Sequence, residues 1–274
     1  MPLDYLLARL IRRHLPSGLL SFLLRHGLII KPGLETANPK EAVERYVRVL
    51  QHHGLSLEGK CVLDFGYGGH FGVGVELLRR GAKRVVLCDP FAKPEHRRNR
   101  LLLKEYREFL REEQGQVYPH PAYFTLLEKD IRQVQEGEIP PCDLVLSTSV
   151  YEHLDDPLSV TQALARRTHP QGAHLHFVDL RDHFFKYPFE MLCYSEATWK
   201  RWLNPTSNLN RYRIWQYRDA FERFFKRVTI DVLARDQASL ARVRSRIRPE
   251  FLSGDPSLDS ATLIQVFAQF PIGG

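Results

Sequence analysis

Apolar positions in the first 55 residues recur with a helical period. Leu3, Leu6, Leu7, Leu10 and Ile11 fall at i, i+3, i+4, i+7 and i+8, one face of a helix, with Arg9, Arg12 and Arg13 mostly off it. Pro16 and Gly18 break the pattern. A second apolar segment follows over 19–24, Gly27 stops it, and Lys31-Pro32-Gly33 reads as a turn. Asn38-Pro39-Lys40-Glu41 then has the form of a helix start: Asn as cap, proline first, Glu third. That helix turns Ala42, Val43, Tyr46, Val47 and Leu50 inward and ends near Gly54.

The period then changes. Residues 61–65 read as a short buried strand that ends in a glycine-rich turn, followed by a helix over 71–80 closed by Gly81. Residues 84–88 are a second strand ending at Asp89-Pro90, and 93–113 reads as one long charged helix. A third strand, 123–127, runs to Asp130, and a fourth covers 143–147. A helix over 156–168 leads to a fifth strand, 173–178, which stops at Asp179. Strands spaced by helices imply βαβ units, a parallel sheet and right-handed crossovers. Residues 181–217 break the rhythm with aromatics, Arg and Asn, including Trp199, Trp202 and Trp215, and are expected to form an inserted helical cap. A helix (219–225), a strand (227–233), a helix (238–247) and a last strand (262–270) complete the chain. The expected organisation is a helical lid or extension at 1–57, a nucleotide-binding core at 58–180, a cap at 181–217, and core-completing strands at 218–274.

The 274-residue length fits one large α/β domain with appendages or two small ones, and 43% hydrophobic residues suffice for a sizeable core. Thirty-nine Lys and Arg against 32 Asp and Glu leave +7, which invites anionic partners, but no dense basic block is present. Cys61, Cys88, Cys142 and Cys193 are far apart in sequence and form no CxxC pair, which favours a reducing cytoplasm over a disulfide framework. No signal peptide and no spanning segment are evident.

The most informative stretch is Asp64-Phe65-Gly66-Tyr67-Gly68-Gly69-His70. Glycines between a strand and a helix let backbone approach a ligand closely. A carboxylate before the glycines would repel a pyrophosphate but suits a ligand that bears an ammonium group. Asp89 ends the second strand, where a carboxylate accepts from ribose hydroxyls. Asp130-Ile131 follows the third, where Asp can receive an adenine amino group and Ile can cover the ring. Three acids at three successive strand ends point to one crevice.

Asp64-Phe65-Gly66-Tyr67-Gly68, Asp89, Asp130-Ile131 and the run 147–157 (STSVYEHLDDP) resemble the ordered motifs of class I S-adenosylmethionine-dependent methyltransferases. The likeness is greatest to the type 11 and 12 group of small-molecule enzymes. It covers roughly 58–182 and departs at His70, where a third glycine is usual. It implies an α/β Rossmann-like doubly wound sheet of seven strands, the last antiparallel, to which the sequence pattern adds N-terminal helices and a cap after strand five. It also implies S-adenosylmethionine as cofactor, held by Asp64, Gly66, Tyr67, Gly68, Asp89, Asp130, Ile131 and Ser147.

Methyl transfer from a sulfonium needs alignment, exclusion of water and, for some acceptors, a base. His153, after Glu152 behind the fourth strand, is one candidate base. His183, oriented by Asp182 or Asp179 behind the fifth, is another. The same residues would also serve as packing and helix caps. Arg211 and Arg213 suit a carboxylate or phosphate on the acceptor, or pairing with acids of the cap, and Tyr151 is a further candidate substrate contact. No HExxH spacing or Cys partner occurs, so no metal is expected. Ser147-Thr148-Ser149-Val150 stands where base-methylating enzymes carry Asn/Asp-Pro-Pro-Tyr. This favours O-methylation of a small-molecule or glycan-like acceptor over RNA methylation, and nucleic acid is not an expected partner. The amphipathic stretch 3–27 is expected either to cover the cofactor or to make a peripheral membrane contact, as a binding protein built on this fold would.

Overall fold

The computed structural model describes residues 3–14, 37–184 and 186–272. The 19–24 segment, the breaks at Pro16, Gly18 and Gly27, the 31–33 turn and most of the 3–27 stretch lie outside the described residues. Among those described, no helix is long and apolar enough to cross a membrane.

Helix α1 (Leu3–His14) is followed by α2 (Pro39–His52). The Asn38 side chain accepts from the Glu41 amide at 3.3 Å and donates to the Glu41 carboxylate at 3.0 Å, so the cap read in the sequence forms. The strands in chain order are β1 (Cys61–Phe65), β2 (Arg84–Cys88), β3 (Leu110–Glu113), β4 (Gln116–Pro119), β5 (Phe124–Leu127), β6 (Cys142–Thr148), β7 (Thr168–Asp179), β8 (Phe225–Arg235) and β9 (Ala261–Pro271). Helices α3 (Gly72–Arg79), α4 (His96–Leu102), α5 (Pro157–Arg166), α6 (Ile214–Glu222) and α7 (Gln237–Val243) stand between them.

Seven strands form one sheet in the order β5-β2-β1-β6-β7-β9-β8. From β5 to β7 neighbours run parallel, as in Val62 beside Val85 and Leu144. Strand β9 runs antiparallel to both β7 and β8. The chain moves one way from β1 through β2 to β5 and the other way from β6 to β7. Between β1 and β6 the topology therefore switches, and the crevice that binds ligands in such sheets opens at the carboxyl ends of these strands.

Alternation along the strands divides the core in two. Val62, Leu146, Phe177 and Phe267 face α2 and α3, where they meet Val43, Tyr46, Leu50 and Leu77. Leu63, Val145, Val178 and Val266 face the other layer, with Leu164, Tyr217 and Phe221. A third cluster joins α1 to the segment after β7, with Tyr5, Phe189, Leu192, Trp199, Leu209 and Phe251 buried together. Full burial of each large side chain stabilises by roughly 1.5–3 kcal/mol.

The long helix expected over 93–113 is cut short. Helix α4 ends at Leu102, and β3 and β4 form an antiparallel hairpin. Its two-residue turn places Gln114 and Gly115 at φ 50° and 75°, the positive values that favour a tight hairpin. Leu110 and Val117 bury as the hairpin packs, which isolated helical periodicity does not anticipate. Cys61 and Cys142, distant in sequence, start adjacent strands with their sulfurs 3.8 Å apart as free thiols. At the far side of the sheet β8 is an edge, with Lys226, Arg227, Asp231 and Arg235 exposed along it.

Candidate active site

The glycine turn after β1 needs glycine for two distinct reasons. Gly66 lies at φ 80°, and a Cβ on it would sit 2.4 Å from a Val150 methyl. At Gly69, φ 84°, a Cβ would meet the Lys93 carbonyl at 2.4 Å. The loop is held from outside by two side chains. Asn99, fully buried on α4, accepts from the Phe71 amide and donates to the Gly69 carbonyl, each at 2.9 Å. Asp89 accepts from the Gly68 amide at 3.2 Å and from the Phe91 and Ala92 amides at 2.9 Å. Sequence reading missed Asn99, because a lone Asn in a charged helix carries no local signal. His70, in the place of a third glycine, is half-buried, and burial followed by the nearby Arg98 charge lowers its pKa to about 4.

A cavity of about 560 Å³ opens beside this turn. Phe65, Gly66, Asp89, Asp130, Ile131 and Val150 line one part of it, and His153 and Asn208 another. Asp89 and Asp130 thus share one wall. Asp64 is 1% exposed, lies beneath the turn and is not part of the cavity wall. Tyr67 is also buried, its ring stacked on Phe71 at 6.1 Å, so it supports the turn from behind. Gly68 acts through the Asp89 bond. The Asp130 carboxylate is engaged by Arg132, through the amide at 2.9 Å and the guanidinium at 2.6 Å, and this pair lowers its pKa. Arg132, a cavity residue not singled out in the sequence, therefore competes for the lone pairs expected to receive an adenine amino group. Ile131 is buried at the cavity wall, as a ring-covering residue would be.

The far side of the cavity is built by the loop after β6. Ser149 takes φ 55° and Asn208 φ 50°, and both line the cavity. Non-glycine residues hold such conformations only where their surroundings over-determine them. For Asn208 the cause is visible: its side-chain amide donates to the His153 and Leu154 carbonyls at 3.0 Å, and its own carbonyl lies 2.7 Å from His153 Nδ1. Since a carbonyl only accepts, Nδ1 carries a proton, so in the neutral form of the ring Nε2 is the basic nitrogen. The His183 ring packs edge-on against His153 with centroids 4.8 Å apart. The two histidines read as rival bases thus stand together. Beside them Glu152 is 2% exposed. Burial, with the Asp179 charge adding, pushes its carboxyl well above the usual range, against the pull of the Glu152 and Asp179 amides.

Other expectations need correction. Ser147 does not face the cavity: alternation along β6 turns it inward, 2.7 Å from His176 Nδ1. There it begins a buried chain of hydrogen bonds. Thr168 donates to the Leu164 carbonyl and so accepts from His174 Nε2; His174 Nδ1 in turn accepts from His176, and His176 from Ser147. Tyr151 is fully buried against His176 and Phe221, with its hydroxyl on Thr161, so it cannot contact an acceptor. Asp182, expected as a possible orienter of His183, is engaged by other groups. Its buried carboxylate receives Tyr5 and Arg9 of α1 and the Phe184 amide. Arg211 donates to the Met191 and Tyr194 carbonyls and pairs with Glu196. Arg213, fully buried, donates to the Leu180, Asp259 and Ala261 carbonyls. Arg211 thus braces the 181–213 segment internally, while Arg213 ties it to the sheet, and burial lowers the Arg213 pKa to about 10.

Residues 37–236 match the profile of a family described as a methyltransferase domain. No curated protein matches the chain. Among solved structures, a geranyl diphosphate C-methyltransferase from Streptomyces coelicolor A3(2) is similar at 12% identity, over 83% of this chain and 76% of that one, with a TM-score of 0.51. A protein named as a sarcosine dimethylglycine methyltransferase from Galdieria sulphuraria is similar at 16% identity, over 85% and 88%, with a TM-score of 0.50. Likeness at these identities concerns the fold. The glycine cradle, closed to any side chain at Gly66 and Gly69, and the Asp89 and Ile131 wall beside it fit an adenosine-bearing ligand. With the profile spanning most of its length, the chain belongs to the methyltransferase-domain family, with the class I fold and S-adenosylmethionine as its cofactor.

Proposed function

We propose that this methyltransferase alkylates an oxygen of a small-molecule or glycan-like acceptor, with His153 as the base. The carrying observation is the position of His153: it lines the same cavity as Asp89 and Asp130, with its Nδ1 proton fixed on the Asn208 carbonyl. When bound, S-adenosylmethionine supplies a methyl group on a sulfonium that leaves as a neutral thioether. Asp89 retains about one of a carboxylate's four acceptor positions after its three amide bonds, enough for one ribose hydroxyl. Ile131 gives the adenine an apolar wall. His153 Nε2 would take the proton of the acceptor hydroxyl as that oxygen gains the methyl group, the neutral thioether being the leaving group. Holding the two reactants in line contributes most of the acceleration, and a positioned base adds about 10²–10⁴-fold.

A cavity of about 560 Å³ supports a small acceptor, since clefts for small ligands span about 300–1,000 Å³. The test is incubation of the protein with methyl-deuterated S-adenosylmethionine and a metabolite extract. A small-molecule product heavier by one labelled methyl group is expected. Label recovered only in RNA, or in no product, overturns the reading.

A further inference from the structure

Behind the cavity, where β6 and β7 end, the structure gathers Glu152, His153 and His183. One potential ligand atom from each lies within 4.8 Å of the others. No single feature of the sequence marks this cluster, because its members leave the ends of two neighbouring strands. Two further observations point to a bound cation. Glu152 is buried, and neither carboxylate oxygen has a hydrogen-bond partner of normal geometry. A buried carboxyl whose neighbouring amides stand outside normal hydrogen-bond geometry loses a large part of its hydration without full replacement. Second, His153 donates Nδ1–H to the Asn208 carbonyl, the arrangement that fixes a metal-bound imidazole with Nε2 toward the ion. Asn208 is itself pinned in a left-handed conformation by its bonds to the His153 and Leu154 carbonyls.

We propose that Glu152, His153 and His183 form a binding site for one divalent first-row transition ion at the acceptor end of the cavity. Two imidazoles and one carboxylate are the donor set of ions that keep open coordination positions, Zn²⁺, Fe²⁺, Co²⁺ and Mn²⁺ among them. His153 borders the cavity, so the open positions face the space where the acceptor would lie. With the ion bound, His153 Nε2 is a ligand and does not act as the base; the ion would take over that part by making a coordinated hydroxyl more acidic, and it would favour an acceptor with two neighbouring oxygens, one of them the hydroxyl to be methylated. This role toward the acceptor rests on the oxygen-methylation reading above; the binding of the ion does not.

The experiment uses the full chain, stripped with a chelator, without cofactor or acceptor. It is titrated with Co²⁺ while visible d–d absorption is recorded, and with Zn²⁺ and Mn²⁺ by calorimetry. One ion per chain is expected. Glu152→Gln and His183→Ala should each weaken binding by about tenfold or more, in the range seen when metal-site partners are lost. His169→Ala, at an exposed histidine away from the cluster, should bind as the parent does. Circular dichroism melts identify variants that keep the fold, and Glu152→Gln preserves the side-chain shape where His183→Ala does not. Absence of stoichiometric binding, or equal affinity in folded Glu152→Gln and the parent, overturns the site. Methyl transfer that persists at full rate in verified metal-free protein overturns the role toward the acceptor and leaves the oxygen-methylation reading standing.

Discussion

Asp89 holds the glycine turn by three amides and keeps one acceptor position facing the cavity. On the proposed cofactor placement, Asp89→Ala removes a ribose contact and loosens the turn together. Cofactor affinity, measured by calorimetry, should fall by roughly 1.5–3 kcal/mol, about 10–200-fold. Gly66 makes a complementary case. A methyl group there would lie 2.4 Å from Val150 at a φ that L-residues avoid. Gly66→Ala should lower stability by about 1–3 kcal/mol in denaturant melts, and cofactor binding should fall with it. These positions also show how far residues can be read from sequence. The glycines and Asp89 are local signals, legible because a strand, a turn and a helix surround them. Ser147, Tyr151, Arg211 and Arg213 had the right chemistry in the right segment, yet each points into the protein. Side-chain direction, set here by strand alternation and by buried carbonyls in need of donors, is not written in residue type.

At the scale of elements, two attachments decide behaviour. Helix α1 is fastened by Tyr5 and Arg9 to one carboxylate, Asp182, in a buried pair. Removing one partner strands a charge, so Asp182→Ala should cost about 3–5 kcal/mol, seen as a lowered melting midpoint. Strand β7 carries His174 and His176, both neutral and fully buried within the hydrogen-bonded chain from Ser147 to Thr168. Burial lowers the His174 pKa to about 3. The unfolded chain, with an ordinary histidine near 6.5, then binds more protons than the folded chain below that pH. Stability falls as pH descends from about 6.5 toward 3, by up to about 1.4 kcal/mol per pH unit for this side chain. Melting midpoints across that window should drop, and His174→Gln should flatten the slope; an unchanged slope would discard His174 as the cause. The β3–β4 hairpin marks the limit at this scale. Its first strand, Leu110–Glu113, is rich in Arg and Glu and looks helical; pairing with Gln116–Pro119, with Leu110 and Val117 buried against the body of the protein, decides otherwise.

For the whole molecule, the order of strands and helices was legible because apolar runs and charged periodic segments alternate over most of the chain. The strand order was not, since pairing follows packing between segments far apart in sequence. It is the order β2-β1-β6-β7 that brings Asp89, Gly66, His153 and His183 to one end of the sheet. A ligand seated there binds only the folded chain. S-Adenosylmethionine at about 100 times its dissociation constant should add about 2.7 kcal/mol, raising the melting midpoint by roughly 5–10 °C for a chain of this size. The same addition to Asp89→Ala should give a smaller rise, and equal rises would contradict the placement of the ligand. The outermost ribbon has its own consequence. Among the described residues β8, eleven residues long, is a sheet edge, and the outward amides and carbonyls of its alternate residues are a template for another chain's backbone. Its solvent-facing Lys226, Arg227, Asp231 and Arg235 would have to shed hydration before an intruding strand could zip on, which guards this edge.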